Sequence, residues 1–253
     1  MARDLEKYLR NRPTRFCAGC GHGILLGAIL RAIDELGIDI DDMLFVSGIG
    51  CAGWIVSPNF NGDTLHTPHG RAIAFATGAK MFNPKLKVMV ISGDGDLMDI
   101  GGNHLLHAVW RNIDLTVICA NNMLYGQTGG QVCMTTPKGA FTLTTPQGNP
   151  YYPFNICEVL AVAGAPYVAR YAVTQPFQLI RSIKKALQTT GFTFIEAVST
   201  CPTQFGRRNQ LDTPSDMLKF LKEKCITRKK AASLSKEELK GKIVTGEFTD
   251  GGD

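Results

Sequence analysis

No apolar run in this 253-residue chain reaches the ~18 residues that a helix needs to cross a bilayer. The opening stretch Met1-Ala-Arg-Asp-Leu-Glu-Lys7 has no apolar core of the kind a secretory signal carries. The expectation is a cytoplasmic protein with no membrane partner. Internal repeats and low-complexity blocks are also missing, which removes solenoids and fibrous proteins. Eight cysteines would allow disulfides, but in a reducing compartment they argue against a disulfide framework. The formal charge of +5 owes part of its excess to Lys219, Lys222, Lys224, Arg228, Lys229 and Lys230. No helix-turn-helix, zinc finger or aromatic stacking motif accompanies them, so nucleic acid is not an expected partner. A solvated face is the plain reading of this stretch, and a docking surface for an acidic protein is the alternative.

What is present is an ordinary globular composition, 44% hydrophobic and 19% charged, in a chain long enough for a substantial core. Apolar residues recur at helical spacing over 23–36, and Gly37 follows as a stop. Further helices are expected over 69–82, 101–110, 157–163, 176–187 and 214–224. Short apolar runs at 43–46, 86–91, 115–119, 167–173 and 192–198 read as strands, and the unbroken ones as strands covered on both faces. Strands alternating with helices imply βαβ units, hence an α/β fold with a mostly parallel sheet and helices on both faces. Residues 1–225 form one domain in this reading. Residues 226–253 are polar, Lys- and Glu-rich, and read as a surface tail that orders on a partner.

In open parallel sheets, ligands sit beyond the carboxyl ends of the strands. Four unusual motifs fall there: Ser47-Gly-Ile-Gly-Cys51, Ser92-Gly-Asp-Gly-Asp96, Ala120-Asn-Asn-Met-Leu-Tyr-Gly126 and Ser199-Thr-Cys-Pro202. Glycines on both sides of Asp94 let the backbone turn sharply and approach a bulky anion. A following helix can aim its first amides at phosphate oxygens. Asp94 supplies a hard oxygen for Mg²⁺, and Asn122, 28 residues on, can complete the shell with a carbonyl at Leu124. His69 opens a helix near the same edge; it reads either as a cofactor or substrate contact or as a satisfied structural histidine.

Cys17-Ala-Gly-Cys20 is a close pair, and Cys51 and Cys201 lie beyond strand ends. Four thiolates suit either a tetrahedral Zn²⁺ or an iron–sulfur cubane. One pair joined by two distant single cysteines, beside a redox-capable cofactor, favours a [4Fe–4S] cluster. A thioredoxin-like role for Cys17 and Cys20 lacks the preceding strand. Cys119 reads as a core residue. Cys133, Cys157 and Cys225 have no near neighbours of their own kind.

The Gly-Asp-Gly and Asn-Asn pair resemble the signature of thiamine-diphosphate enzymes. Phe16-Cys-Ala-Gly-Cys-Gly-His22, Ser47-Gly-Ile-Gly-Cys51, His66-Thr-Pro-His-Gly-Arg71, Gly93-Asp-Gly-Asp96, Tyr125-Gly-Gln-Thr-Gly-Gly-Gln131 and Cys201-Pro-Thr, in this order, resemble the beta subunit of 2-oxoacid:ferredoxin oxidoreductases. The likeness runs from about residue 12 to about residue 225. It implies a thiamine-diphosphate-binding fold with an N-terminal cluster-binding segment, and one [4Fe–4S] cluster on Cys17, Cys20, Cys51 and Cys201. It implies Mg²⁺ on Asp94, Asn122 and the Leu124 carbonyl, and a cofactor or substrate lining of Ile49, Gly50, Cys51, His69, Gly93, Gly95, Asp96, Gly126 and Gln127. His69 and Gln127 are the residues expected to contact the substrate. The Tyr-Gly-Gln-Thr and Cys-Pro-Thr-Gln-Phe-Gly-Arg runs look most like 2-oxoglutarate-type members. The implied reaction is CoA-acylating oxidative decarboxylation of 2-oxoglutarate to succinyl-CoA, with electrons passed to ferredoxin. Pyruvate or a branched-chain 2-oxoacid is the nearest alternative. A non-oxidative thiamine-dependent decarboxylase or carboligase, or a non-catalytic electron-transfer subunit, is the alternative of another class. No acidic residue stands in a motif suited to promoting the ylide of thiamine. The family takes that carboxylate from the alpha subunit, so an active site between chains is implied.

Overall fold

The computed structural model describes residues 5–10 and 13–249. In chain order the elements are α1 (His22–Leu36), β1 (Met43–Ser47), α2 (Gly53–Val56), β2 (Asp63–His66), α3 (Ala72–Phe82), β3 (Lys87–Gly93), α4 (Gly102–Trp110) and β4 (Thr116–Asn121). There follow α5 (Ile156–Val162), β5 (Tyr167–Ala172), α6 (Pro176–Gln188), β6 (Thr193–Val198), α7 (Pro214–Lys224), β7 (Cys225–Thr227), α8 (Arg228–Ala231), α9 (Lys236–Leu239) and β8 (Ile243–Glu247). The strands make one eight-stranded sheet in the order β2-β1-β3-β4-β6-β5-β8-β7. The pairings from β2 through to β5 are parallel.

Local chemistry explains the punctuation. α1 stops because Gly37 takes a left-handed backbone (φ 63°) and its amide closes on the last turn. α6 and α7 both begin with proline, which has no amide to leave unpaired there. Thr213 and Asp216 cap α7 reciprocally. β4 and β6 are buried at every position, as strands covered by helices on both faces must be. One face of the sheet packs against α1 and α6; Ile29 and Ile33 meet Phe45, Ile118 and Ile195 there. On the other face Ile73, Ala76, Leu105 and Val109 meet Val90, Val117 and Phe194.

The C-terminal segment corrects the sequence expectation. Residues 225–249 do not form a loose tail. β7 pairs with β8, and β8 runs antiparallel to β5. The polar composition misleads because few of these side chains are buried: Thr245 lies under the sheet edge, and Phe248 lies against the Arg170 guanidinium. The closing Asp250–Asp253 of the expected tail lies outside the described residues.

Candidate active site

The four strands that carry the unusual motifs, β1, β3, β4 and β6, are consecutive neighbours in the sheet. Being parallel, they deliver all four motifs to one rim. The site is built there from two halves.

The oxygen-rich half begins at the end of β3. Asp94 is 2% exposed. Burial pushes its carboxyl up to about 6, against hydrogen bonds from Thr135 and Cys133. The Asn122 amide aims one terminal atom at Asp94 Oδ1 (3.2 Å) and at the Leu124 carbonyl oxygen (2.7 Å). With nitrogen there, it donates to both. With oxygen there, three oxygens from three residues converge, a donor set that suits a hard divalent cation. The first asparagine of the pair has a different task. Asn121 Oδ1 accepts the Met123 amide at 2.9 Å, which holds Met123 in a left-handed turn (φ 69°). A buried methionine does not adopt that conformation unaided. Glu196 Oε1 anchors the Asn121 amide at 2.6 Å.

Asp96, expected along the cofactor lining, is turned into the protein. Its carboxylate accepts from the Ile49 amide (3.2 Å), the Gly70 amide (2.8 Å), Ser92 Oγ (2.7 Å) and His69 Nδ1 (2.5 Å). It staples the loops after β1 and before α3 to the end of β3. A methyl group at Gly48 would fall on this carboxylate, and one at Gly95 on the Tyr125 ring. His69 is fixed by that bond and by an edge contact with Tyr125, ring centroids 6.0 Å apart. Its side chain remains one-third exposed.

The sulfur-rich half is a cavity of about 290 Å³ lined by Cys17, Cys20, Cys51 and Cys201, together with Asn122, Gly126 and Gln127. The chain ends that meet there are tied together. Gly21 donates its amide to the Thr200 carbonyl at 3.1 Å, Thr200 Oγ1 donates to the Gly19 carbonyl at 3.0 Å, and His22 Nδ1 lies 2.9 Å from Ser199 Oγ. Thr203 Oγ1 stands 3.8 Å from both Cys17 Sγ and Cys201 Sγ. Burial raises the Cys20 thiol to about 11, though the His22 amide opposes it, and raises Cys51 to about 12; neighbouring thiolates add to both. A cationic group between them would favour their thiolate forms. The four thiols line one shared cavity, a donor set that suits either a tetrahedral Zn²⁺ or an iron–sulfur core.

Gly126 separates the halves. A methyl there would stand 3.1 Å from the Asn122 amide and 3.3 Å from Cys51 Sγ. The structure thus brings Asp94, Asn122, Leu124, Gly126, Gln127 and the four cysteines to one place. It adds residues that sequence reading missed: Cys133, Thr135 and Thr136 behind Asp94, and Glu196 behind Asn121. Their partners lie 39 and 75 residues away in the chain, beyond any local pattern.

Residues 48–197 match the family described as "Thiamine pyrophosphate enzyme, C-terminal TPP binding domain". The chain is 52% identical over 247 residues to "2-oxoglutarate synthase subunit KorB" of Methanothermobacter marburgensis, covering 96% of this chain and 86% of that one. It is 53% identical over 246 residues to the subunit of the same name from Methanocaldococcus jannaschii, covering 96% and 91%. A solved structure, "2-oxoglutarate:ferredoxin oxidoreductase from Magnetococcus marinus with 2-oxoglutarate, coenzyme A and succinyl-CoA bound", superposes with a TM-score of 0.84 at 33% identity, covering 98% of this chain and 85% of that one. With a thiamine-type rim, the KorB likeness and that fold in agreement, the chain belongs to the beta subunits of the 2-oxoacid:ferredoxin oxidoreductases.

Proposed function

We propose that this subunit, with an alpha subunit, converts 2-oxoglutarate and coenzyme A to succinyl-CoA and CO₂ and passes the electrons to ferredoxin. The convergence of Asp94, the Asn122 amide and the Leu124 carbonyl with four thiols across Gly126 carries this reading. When bound, thiamine diphosphate would supply an electron sink and a [4Fe–4S] cluster a one-electron acceptor. Asp94, Asn122 and the Leu124 carbonyl would hold Mg²⁺. Ile49, Gly50, Gly93 and Gly126 would form the low walls that let a diphosphate and ring approach the backbone, while Gly95 makes room for the Tyr125 ring. Cys17, Cys20, Cys51 and Cys201 would hold the cluster. Gln127, exposed on the cavity wall, and His69, oriented by Asp96, offer polar contacts to the substrate. The 2-oxoglutarate preference is supported by the names of the relatives at 52% and 53% identity.

The test is co-purification with the partner chain, then assays of 2-oxoglutarate, pyruvate and a branched-chain 2-oxoacid with coenzyme A and a viologen acceptor. Turnover of pyruvate with none of 2-oxoglutarate would sink the substrate assignment. Cys201→Ala is expected to lower iron content and bleach the brown absorbance; unaltered iron would remove Cys201 from the ligand set. Gln127→Ala is expected to lower kcat/KM by about 10-fold or more, as loss of a polar substrate contact does.

A further inference from the structure

Cys133 has no part in the four-thiol cavity, yet it lies at the centre of the oxygen-rich half. Its Sγ is 3.2 Å from Asp94 Oδ2. An ionised carboxylate only accepts, so the thiol is the donor. Thr135 Oγ1 donates to the same oxygen and lies 3.0 Å from Cys133 Sγ. Asp94 Oδ2 is thereby committed to two protein donors, and Oδ1 is the oxygen turned toward Asn122. Thr136 Oγ1 donates to the carbonyl of Met123 at 2.6 Å, directly before Leu124, and accepts the Cys133 amide at 2.9 Å. The segment is itself tied down: Asn149 Nδ2 donates to the Thr136 carbonyl at 2.8 Å, and the Met134 amide donates to Asp99 at 3.0 Å.

We propose that Cys133–Thr136 is a positioning clasp that sets divalent-cation affinity at Asp94, Asn122 and the Leu124 carbonyl; this rests on the Mg²⁺ reading above. A free carboxylate can rotate, and either oxygen can leave the ligand position. Two donors on Oδ2 fix the rotation, and the Thr136 bond fixes the turn that aims Leu124. None of the three side chains is needed at the metal; each acts through a ligand. A serine hydroxyl at 133 could make the same donation as the thiol, and a methyl could not.

The test uses the complex with its partner chain, freed of divalent cations and held with excess thiamine diphosphate. Mn²⁺ is titrated in, and free Mn²⁺ is read by electron paramagnetic resonance. Loss of such outer partners typically weakens metal binding 10–100-fold, so Cys133→Ala is expected near ~10-fold and Cys133→Ala/Thr135→Val near ~100-fold. Cys133→Ser is expected to bind like the unaltered protein. Iron content stays constant throughout. The Mg²⁺ concentration for half activity should rise by the same factors while kcat at saturating Mg²⁺ is kept. Should the double variant fail to assemble, Thr135→Val alone carries the comparison. Unaltered Mn²⁺ affinity in Cys133→Ala and Thr135→Val overturns the clasp. Failure of the unaltered complex to bind Mn²⁺ overturns the Mg²⁺ reading itself, and is told apart because no variant is then needed.

Discussion

His22 shows how a side chain with no expected chemistry can govern a loop. It is buried against Ser199 and edge-on to Phe16, and burial holds its imidazole down at about 4. The unfolded chain takes up that proton near 6.5. Between those two values the unfolded state binds more protons. Stability therefore falls as pH drops from about 6.5 to about 4, by about 3 kcal/mol from this group. His22→Asn keeps a polar side chain opposite Ser199 and removes the titration. Its melting temperature is expected to fall less steeply over that window, and equal slopes would exclude His22 as a source. At this scale the sequence was informative where a short pattern encodes the chemistry. The Gly-Asp-Gly turn and the asparagine 28 residues on pointed to Asp94 and Asn122, and the motif order to the four cysteines, and the structure brings both sets to one rim. The sequence was silent on which asparagine of the pair serves the turn, and on Cys133, because those roles are set by the partners Glu196 and Asp94 across the fold.

Among the elements, the strands of the central sheet were legible because full burial leaves an unbroken apolar run, and the helices because one face alone is apolar. β2 was not, since its four residues sit at an edge with both ends exposed. β8 was not, since only one of its five positions is buried and it leaves no apolar run to read. Arg170 on β5 donates to Glu196 on β6 (2.7 Å), to Asn155 (2.7 Å) and to the Val244 carbonyl on β8 (3.2 Å). The same Glu196 also accepts from Asn121 and from the Cys157 thiol. Arg170→Met strands a buried carboxylate and is expected to cost about 3–5 kcal/mol. Arg170→Met/Glu196→Gln removes the uncompensated charge and should recover a good part of that loss in chemical denaturation. A double variant no more stable than the single one would show that β8 attachment, and not the charge, is what Arg170 provides.

At the level of the whole molecule, the chain belongs to a family of enzyme subunits, and the proposed function takes the ylide-promoting carboxylate from the alpha subunit. Purified alone, this subunit is expected to turn over no 2-oxoacid while still binding iron; addition of the alpha subunit is expected to restore activity. Turnover by the single chain would refute this. Gly126 bears on the same assembly in another way. The Asn122 amide and the Cys51 sulfur both lie just over 3 Å from one point beside it, so they are no further apart than the sum of those distances. A side chain grown at position 126 would press on the amide and the sulfur at once, so Gly126→Ala is expected to disturb both halves of the rim together.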